Sequence, residues 1–263
     1  MTLSRSGKRE IGCRRTLRLL FGSSILTWPL LIASLAHAQF VIKSPVVEEG
    51  ELAFVGHGSY ESALPTGGDP LGWGHEVEVA YGFTDFWKSE LALELKQPIH
   101  EELEPTEFKI ENYLELADFA PWSAVFAAFG GVNLGVEEGV ANAAKFGPLA
   151  RFGGDDLSLT LNAIFDKTFG KYRTPGIGLD YAAQFKFAVV DGISAGAELF
   201  GNISDLGDVP SFNDTEFRVG PVLYLSWRSD QSHIGFTGDI GVLLGTTDAT
   251  PDTTIKWDLE LTF

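Results

Sequence analysis

The sequence predicts an all-β protein: an antiparallel, up-and-down transmembrane β-barrel of twelve strands, preceded by a cleaved signal peptide. Three observations carry this expectation. Residues 1–38 have the layout of an export leader. The rest of the chain alternates apolar and polar residues with a period of two, segment after segment. The final stretch puts Trp257, Leu259, Leu261 and Phe263 on one face and Asp258, Glu260 and Thr262 on the other, and it ends the chain on an aromatic residue. That form is similar to the closing-strand signal by which outer-membrane barrels are recognised for insertion.

The leader consists of a basic region (Arg5, Lys8, Arg9, Arg14, Arg15, Arg18), an apolar run from Leu19 to Leu35, and a small-x-small cleavage site at Ala36-His37-Ala38. Pro29 interrupts the apolar run, which is short for a membrane anchor. A membrane barrel must be exported unfolded, so the general secretory route is expected. Without the leader the chain keeps 13 of its 19 basic and 35 of its 36 acidic residues, a formal charge of about −22. This charge disfavours nucleic-acid binding. Cys13, the only cysteine, goes with the leader. The exported chain therefore has no disulfides, and a packed core or a closed sheet must supply its stability. No linker or change of composition divides residues 39–263, which we read as one barrel domain.

After a lead-in over 39–50, the strands follow in order. The first spans 51–60. The second, 73–83, faces Trp73, Val77, Val79, Tyr81 and Phe83 one way and Glu76 and Glu78 the other. Thr84-Asp85 turns the chain into the third, 87–97, where Trp87, Leu91, Leu93 and Leu95 oppose Lys88, Glu90, Glu94 and Lys96. The fourth, 107–116, sets Phe108, Ile110, Leu114 and Leu116 against Glu107, Lys109, Glu111 and Glu115. The fifth, 122–134, is rich in Ala and Gly, short of charges and ambiguous in its facing. The sixth and seventh, 140–152 and 157–165, flank the turn Gly153-Gly154-Asp155-Asp156. The eighth, 177–189, and ninth, 193–201, flank Asp191-Gly192. The tenth, 216–225, follows a long acidic loop; the eleventh spans 233–243 and the twelfth 255–263.

Short turns alternate with longer polar loops, as in outer-membrane barrels with periplasmic turns and external loops. Phe83, Phe86, Trp87, Phe119, Trp122, Trp227 and Phe263 gather near the short turns, as an interfacial girdle would. A soluble barrel would have to bury either an apolar or a charged face, and burying the charged one is costly. Lipid outside and water inside remove both costs.

The charged face supplies the lumen-lining candidates Glu76, Glu78, Lys88, Glu90, Glu94, Lys96, Lys109, Glu111 and Glu115. The same face carries Asn162, Asp166, Asp180, Lys186, Glu198, Glu216, Arg218, Asp239, Lys256, Asp258 and Glu260 farther along the chain. These are wall residues and cross-strand ion pairs, or the lining of a cation-preferring path. Charge pairing predicts a register for strands three and four with Lys96 opposite Glu107, Glu94 opposite Lys109 and Lys88 opposite Glu115. Twelve strands fall between a side-chain-filled interior and an open channel. His57 and Ser59 share a strand face at a spacing similar to that of lipid A deacylases, but no third group is placed to orient the base, so no catalytic residue is expected. His75 and His233 sit near strand ends, and no spacing resembles a metal or cofactor site. The loop acids Glu101, Glu102, Glu104, Glu137, Glu138, Asp205, Asp208 and Asp214 are solvated tips, or hold divalent cations that bridge lipopolysaccharide.

Several stretches resemble a family of proteobacterial outer-membrane barrels related to those associated with the meta-cleavage pathway of phenol degradation. They are Val47–Glu51, His75–Glu90, Leu159–Asn162, Phe217–Tyr224 and Gly241–Asp248 with the run to Phe263. The resemblance covers nearly all of residues 39–263 and implies an outer-membrane barrel that passes small, including aromatic, molecules. The charge-poor fifth strand departs from the acidic pattern expected there. The expected function is passive transport of small solutes through an acidic, charge-lined lumen. The alternatives are a structural envelope barrel without an open path and a lipid-modifying enzyme using His57 and Ser59. Expected partners are outer-membrane lipid and lipopolysaccharide, the barrel-assembly machinery and a small solute, in a Gram-negative outer membrane.

Overall fold

The computed structural model describes residues 40–119, 123–229 and 234–263. The expected leader, Trp122 and His233 lie outside them. The strands are β1 (Leu52–Glu61), β2 (Gly72–Thr84), β3 (Trp87–Gln97), β4 (Glu104–Phe119), β5 (Ala124–Gly135), β6 (Asn142–Gly153), β7 (Leu157–Phe169), β8 (Gly178–Val190), β9 (Ile193–Ile203), β10 (Glu216–Arg228), β11 (Gly235–Gly245) and β12 (Thr253–Thr262). Each expected strand is present, with ends displaced by a few residues. Every strand pairs antiparallel with its neighbour in sequence, and β1 pairs with β12, from Ala53 opposite Thr262 to Glu61 opposite Thr254. The sheet therefore closes with no edge strand, the one arrangement of strands that leaves no backbone polar group facing lipid. The helical element among the described residues is a single 3-10 turn, Phe212–Asp214, in the loop before β10.

The period-two pattern decides which side chain faces out. Val77, Val79, Leu91, Ile110, Leu161, Leu223, Ile240 and Leu259 are exposed on the outer wall, while Glu76, Glu90, Lys109, Asn162, Glu198 and Lys256 are buried on the inner one. This is the inverse of a soluble protein and makes an apolar belt around a polar interior. Aromatic rings collect at both rims. At the short-turn rim Phe83 stacks on Trp87 with centroids 4.7 Å apart, and Phe54 meets Phe263 edge-on at 6.0 Å. At the long-loop rim Trp73 packs on Tyr60 at 4.8 Å and on Trp257 at 5.9 Å. The Trp257 ring lies across Gly58, where a Cβ would stand 2.1 Å from it.

The charge-matched register expected between β3 and β4 is not the one that forms. Glu94 is opposite Glu107, Glu90 is opposite Glu111, and Lys109 is opposite Ala92, a slip of two residues with a bulge at Glu94/Leu95. Like charges directly opposite are unfavourable when only two strands are considered. Here counter-charges arrive from elsewhere. Lys109 Nζ reaches Glu94 at 2.6 Å and Glu76, on β2, at 2.7 Å; Lys88 holds Glu90 at 2.6 Å. Glu111 is paired by Lys43, which belongs to no strand.

The outer wall yields a prediction. Val79→Arg, near the middle of β2 and facing lipid, should destabilise the barrel in phospholipid vesicles by about 2–4 kcal/mol. Urea titration of folding into vesicles would measure this, and an unchanged midpoint would contradict a lipid-facing Val79.

Candidate functional site

The lead-in before β1 is part of the lumen. Gly50 N donates to Gly82 O at 2.8 Å and Gly82 N to Glu51 O at 3.0 Å, which fixes the segment at the short-turn rim. A Cβ on Gly82 would lie 1.9 Å from Glu48 O, so only glycine permits this approach. From there the chain runs back inside the barrel. Val47 N donates to Glu115 Oε2 at 3.1 Å. The peptide of Lys43 is held on both sides by Asn162, as donor to Oδ1 at 2.8 Å and as acceptor from Nδ2 at 2.8 Å. Lys43 Nζ reaches Glu111 and the Tyr113 hydroxyl, the latter at 3.0 Å. Phe40 packs edge-on against Phe200 at 5.6 Å beneath the Arg218 guanidinium, 4.2 Å from its ring, toward the long-loop end.

The charge-poor fifth strand now has an explanation. Ala127 and Phe129 of β5 join Tyr113, Leu149 and Ile164 in an inward-facing apolar patch, and Val47 packs on it. An acidic β5 would have offered Val47 no apolar seat.

Two cavities remain beside the segment, and Val41 and Lys43 border both. One, of about 90 Å³, is lined by Lys43, Lys109, Lys145 and Arg218 together with Glu76, Glu111, Asp180 and Glu216, so its charges balance. The other, of about 110 Å³, lies toward the short-turn rim and is mostly acidic: Glu48, Glu51, Glu78, Glu90, Asp258 and Glu260 against Lys43 and Lys88, with His57 among them. Both cavities are therefore charge-lined, and the one toward the short-turn rim is the strongly acidic one.

Buried ion pairs cross the interior over several strands. Arg218 of β10 reaches Glu61 of β1 at 2.8 Å, Glu216 at 2.9 Å and Thr254 Oγ1 at 2.9 Å. Lys256 of β12 reaches Glu198 of β9 at 2.7 Å, and Glu198 also accepts from the Tyr224 hydroxyl and Gln184, each at 2.9 Å. Small residues lie below these bridges: Ala92 opposite Lys109, Gly220 opposite Glu198, Gly241 opposite Lys256.

Of the candidates named from sequence, Glu76, Glu94 and Lys109 form one cluster, with Lys96 3.8 Å from Glu94. Lys88 and Glu90 form a second, Glu111 and Glu115 hold the lumenal segment, and Glu78 faces His57. Sequence reasoning missed Lys43, Phe40, Glu61, Asn133 and Lys145. Asn133 donates to Glu107 at 2.7 Å and Lys145 pairs with Asp180 at 3.1 Å. Period two on β5 and β6 would have placed the last two had their facing been clear; nothing in strand periodicity points to a segment inside the barrel. His57 and Ser59 are both buried on the lumen face, but the imidazole nitrogens address Asp258 (2.5 Å) and Glu78 (3.6 Å) rather than the hydroxyl.

No family model and no curated protein matches the chain. Among solved structures it is similar to an outer membrane channel from Pseudomonas putida F1, with 12% sequence identity and a TM-score of 0.54 over 82% of this chain and 96% of that one. It is also similar to the NanC porin, with 10% identity and a TM-score of 0.50 over 80% of this chain and 98% of that one. At these identities the likeness is one of fold: a closed, twelve-stranded antiparallel barrel.

The two hydrogen bonds from Asn162 to the Lys43 peptide are worth about 1–3 kcal/mol together. Asn162→Ala should therefore loosen the lumenal segment. With Val41→Cys as reporter, thiol labelling should speed up by about fivefold or more relative to the same reporter in the otherwise unchanged chain. Equal rates would mean that the segment is held without Asn162.

Proposed function

We propose that this chain is an outer-membrane barrel of a Gram-negative bacterium that passes small solutes passively through a lumen narrowed by its own N-terminal segment. The observation that carries this is the pair of charge-lined cavities beside a segment that is held by hydrogen bonds and ion pairs and is not a strand of the wall. The apolar outer belt, the two aromatic rims and the alternation of short turns with long loops support a membrane site, with the short turns in the periplasm. Burial of Phe40 inside the barrel supports removal of residues 1–38 on export by the general secretory route. Trp257, Leu259, Leu261 and Phe263 would serve as the insertion signal read by the barrel-assembly machinery, and the exposed loop acids would meet lipopolysaccharide through divalent cations.

The names of the two structural neighbours, a channel and a porin, support the transport reading. The orientation of His57 away from Ser59 supports a function without catalysis. A sealed structural barrel is favoured by one specific feature, the burial of Phe40, Pro45 and Val47 inside the lumen.

Single-channel recording in a planar bilayer separates these. The chain beginning at Gln39 should give small, reproducible steps, and a chain beginning at Gly50, which lacks the segment, several-fold larger ones. Silence from both, with each barrel folded, would sink the channel assignment; silence from the longer chain alone would favour a sealed or gated barrel. Lys109→Gln leaves Glu76 and Glu94 without their shared cation, so the reversal potential in a salt gradient should move toward cation preference. No movement would place Lys109 off the permeation path.

A further inference from the structure

We propose that the inner wall at the seam between β1, β2 and β12 holds a divalent transition-metal site, with His57 Nε2, Glu76 and Glu78 as ligands and Asp258 orienting the imidazole. The sequence spacing conceals it because the residues meet across strands: His57 is directly opposite Glu76 on one side and Asp258 on the other.

The imidazole lies between two carboxylates, and its far side has the spacing of a ligand set. His57, Glu76 and Glu78 are each at least nine-tenths buried, and they offer one nitrogen and two carboxylate oxygens within 4.8 Å of one another. His57 Nδ1 lies 2.5 Å from Asp258 Oδ2. In the neutral imidazole that carries its proton on Nδ1, beside Asp258, Nε2 keeps its lone pair and faces Glu78. That is the carboxylate–histidine–metal arrangement, in which the outer carboxylate fixes tautomer and ring orientation. Nε2 and Glu78 Oε2 are 3.6 Å apart, beyond the ordinary N–H···O range. Two ligands each about 2.1 Å from one tetrahedral ion lie about 3.4 Å apart, close to that separation. Glu78 is buried, and its Oε2 faces His57 Nε2 across the cavity that Lys43 and Lys88 also line, with no contact of ordinary hydrogen-bond length to it among the described residues. Lys109 takes one oxygen of Glu76 at 2.7 Å but is shared with Glu94 at 2.6 Å, so three carboxylates around one imidazole keep a negative excess that a dication offsets.

One nitrogen and two oxygens suit zinc and its first-row neighbours better than calcium or magnesium, which take oxygen alone. Both His57 and Glu78 line the cavity of about 110 Å³ on the short-turn side, which provides access and room for a water or solute as fourth ligand. Because the site spans the closing seam, metal would tie β1 to β2 and, through Asp258, to β12. The inference concerns the wall alone and stands whether or not the lumen conducts.

The test uses the tag-free chain from Gln39, refolded in detergent, stripped with chelator and titrated with zinc chloride by calorimetry. One equivalent should bind, raising the melting temperature. Co2+ should show the intense visible absorption of a four-coordinate site. His57→Gln and Glu78→Gln should each abolish stoichiometric binding, and Asp258→Asn should weaken it by roughly 10–100-fold. Heat-dependent gel mobility verifies that each barrel is folded, and the cobalt spectrum of the unmodified chain needs no variant. Absence of saturable binding, a cobalt spectrum like that of the aqueous ion, or equal binding by folded His57→Gln and Glu78→Gln would each overturn the proposal.

Discussion

Closure of the sheet by β1 against β12 is the constraint from which the other features follow. A strand edge in hydrocarbon would leave a row of unpaired amides and carbonyls, each costing several kcal/mol. Twelve strands satisfy all of them, and in doing so they set a circumference too small for an empty interior and too large for side chains alone to fill. Inside that ring an ionised group on one strand comes within reach of strands two or three places away. Lys109 can therefore clamp Glu76 and Glu94 over Ala92, and Lys256 can reach Glu198 over Gly241 and Gly220, because these small residues leave the floor low. Buried charge is tolerated at Lys109, Arg218 and Glu198 because each has several partners, not because any one pair is strongly stabilising.

The lumenal segment answers the same constraint from the other side. Phe129, Leu149 and Ile164 would otherwise present an apolar patch to lumenal water, and Val47 covers it. Lys43 brings to Glu111 a charge that the strands do not supply, and its peptide borrows the two bonding groups of Asn162 in place of a neighbouring strand. The segment is thus matched to its wall in apolar contact, charge and backbone hydrogen bonding, yet it depends on a few side chains rather than on a ladder. A difference in stability of that kind would let the segment loosen while the barrel stays intact.

Local periodicity made the fold legible. The alternation in Val77, Val79, Tyr81 against Glu76 and Glu78 identifies a strand, its two environments and hence lipid outside and water inside, all within a few residues of sequence. The β3–β4 register was not legible. A two-strand charge count ignores Lys43 and the reach of Lys109 to β2, and these make Glu90–Glu111 and Glu94–Glu107 acceptable neighbours. The lumenal segment was invisible for a related reason: Phe40, Lys43 and Val47 show no period, and their partners lie far along the chain. The grouping of His57 with Glu78 and Asp258 needed strand pairing that wraps from the first strand to the last.

The formal charge of the exported chain, about −22, describes its surface more than its interior. Asp69, Glu101, Glu102, Glu104, Glu137, Glu138, Asp208, Asp214, Asp248 and Asp252 are all exposed in, or at the edge of, the long loops at one rim. The cavity nearer that rim has as many basic as acidic groups. On the proposed path, two electrostatic filters would therefore act in series. The loop acids raise cation concentration at the mouth, but only within a Debye length, about 8 Å at physiological salt, so that bias fades as salt rises. The interior pairs are desolvated and little screened, and they discriminate by where single charges sit rather than by net sign. A solute with a cationic and an anionic group, or one that is polar and uncharged, would meet no like-charge barrier in the balanced cavity, whereas the mostly acidic cavity toward the short-turn rim would favour the cationic end of a solute, as composition alone suggests.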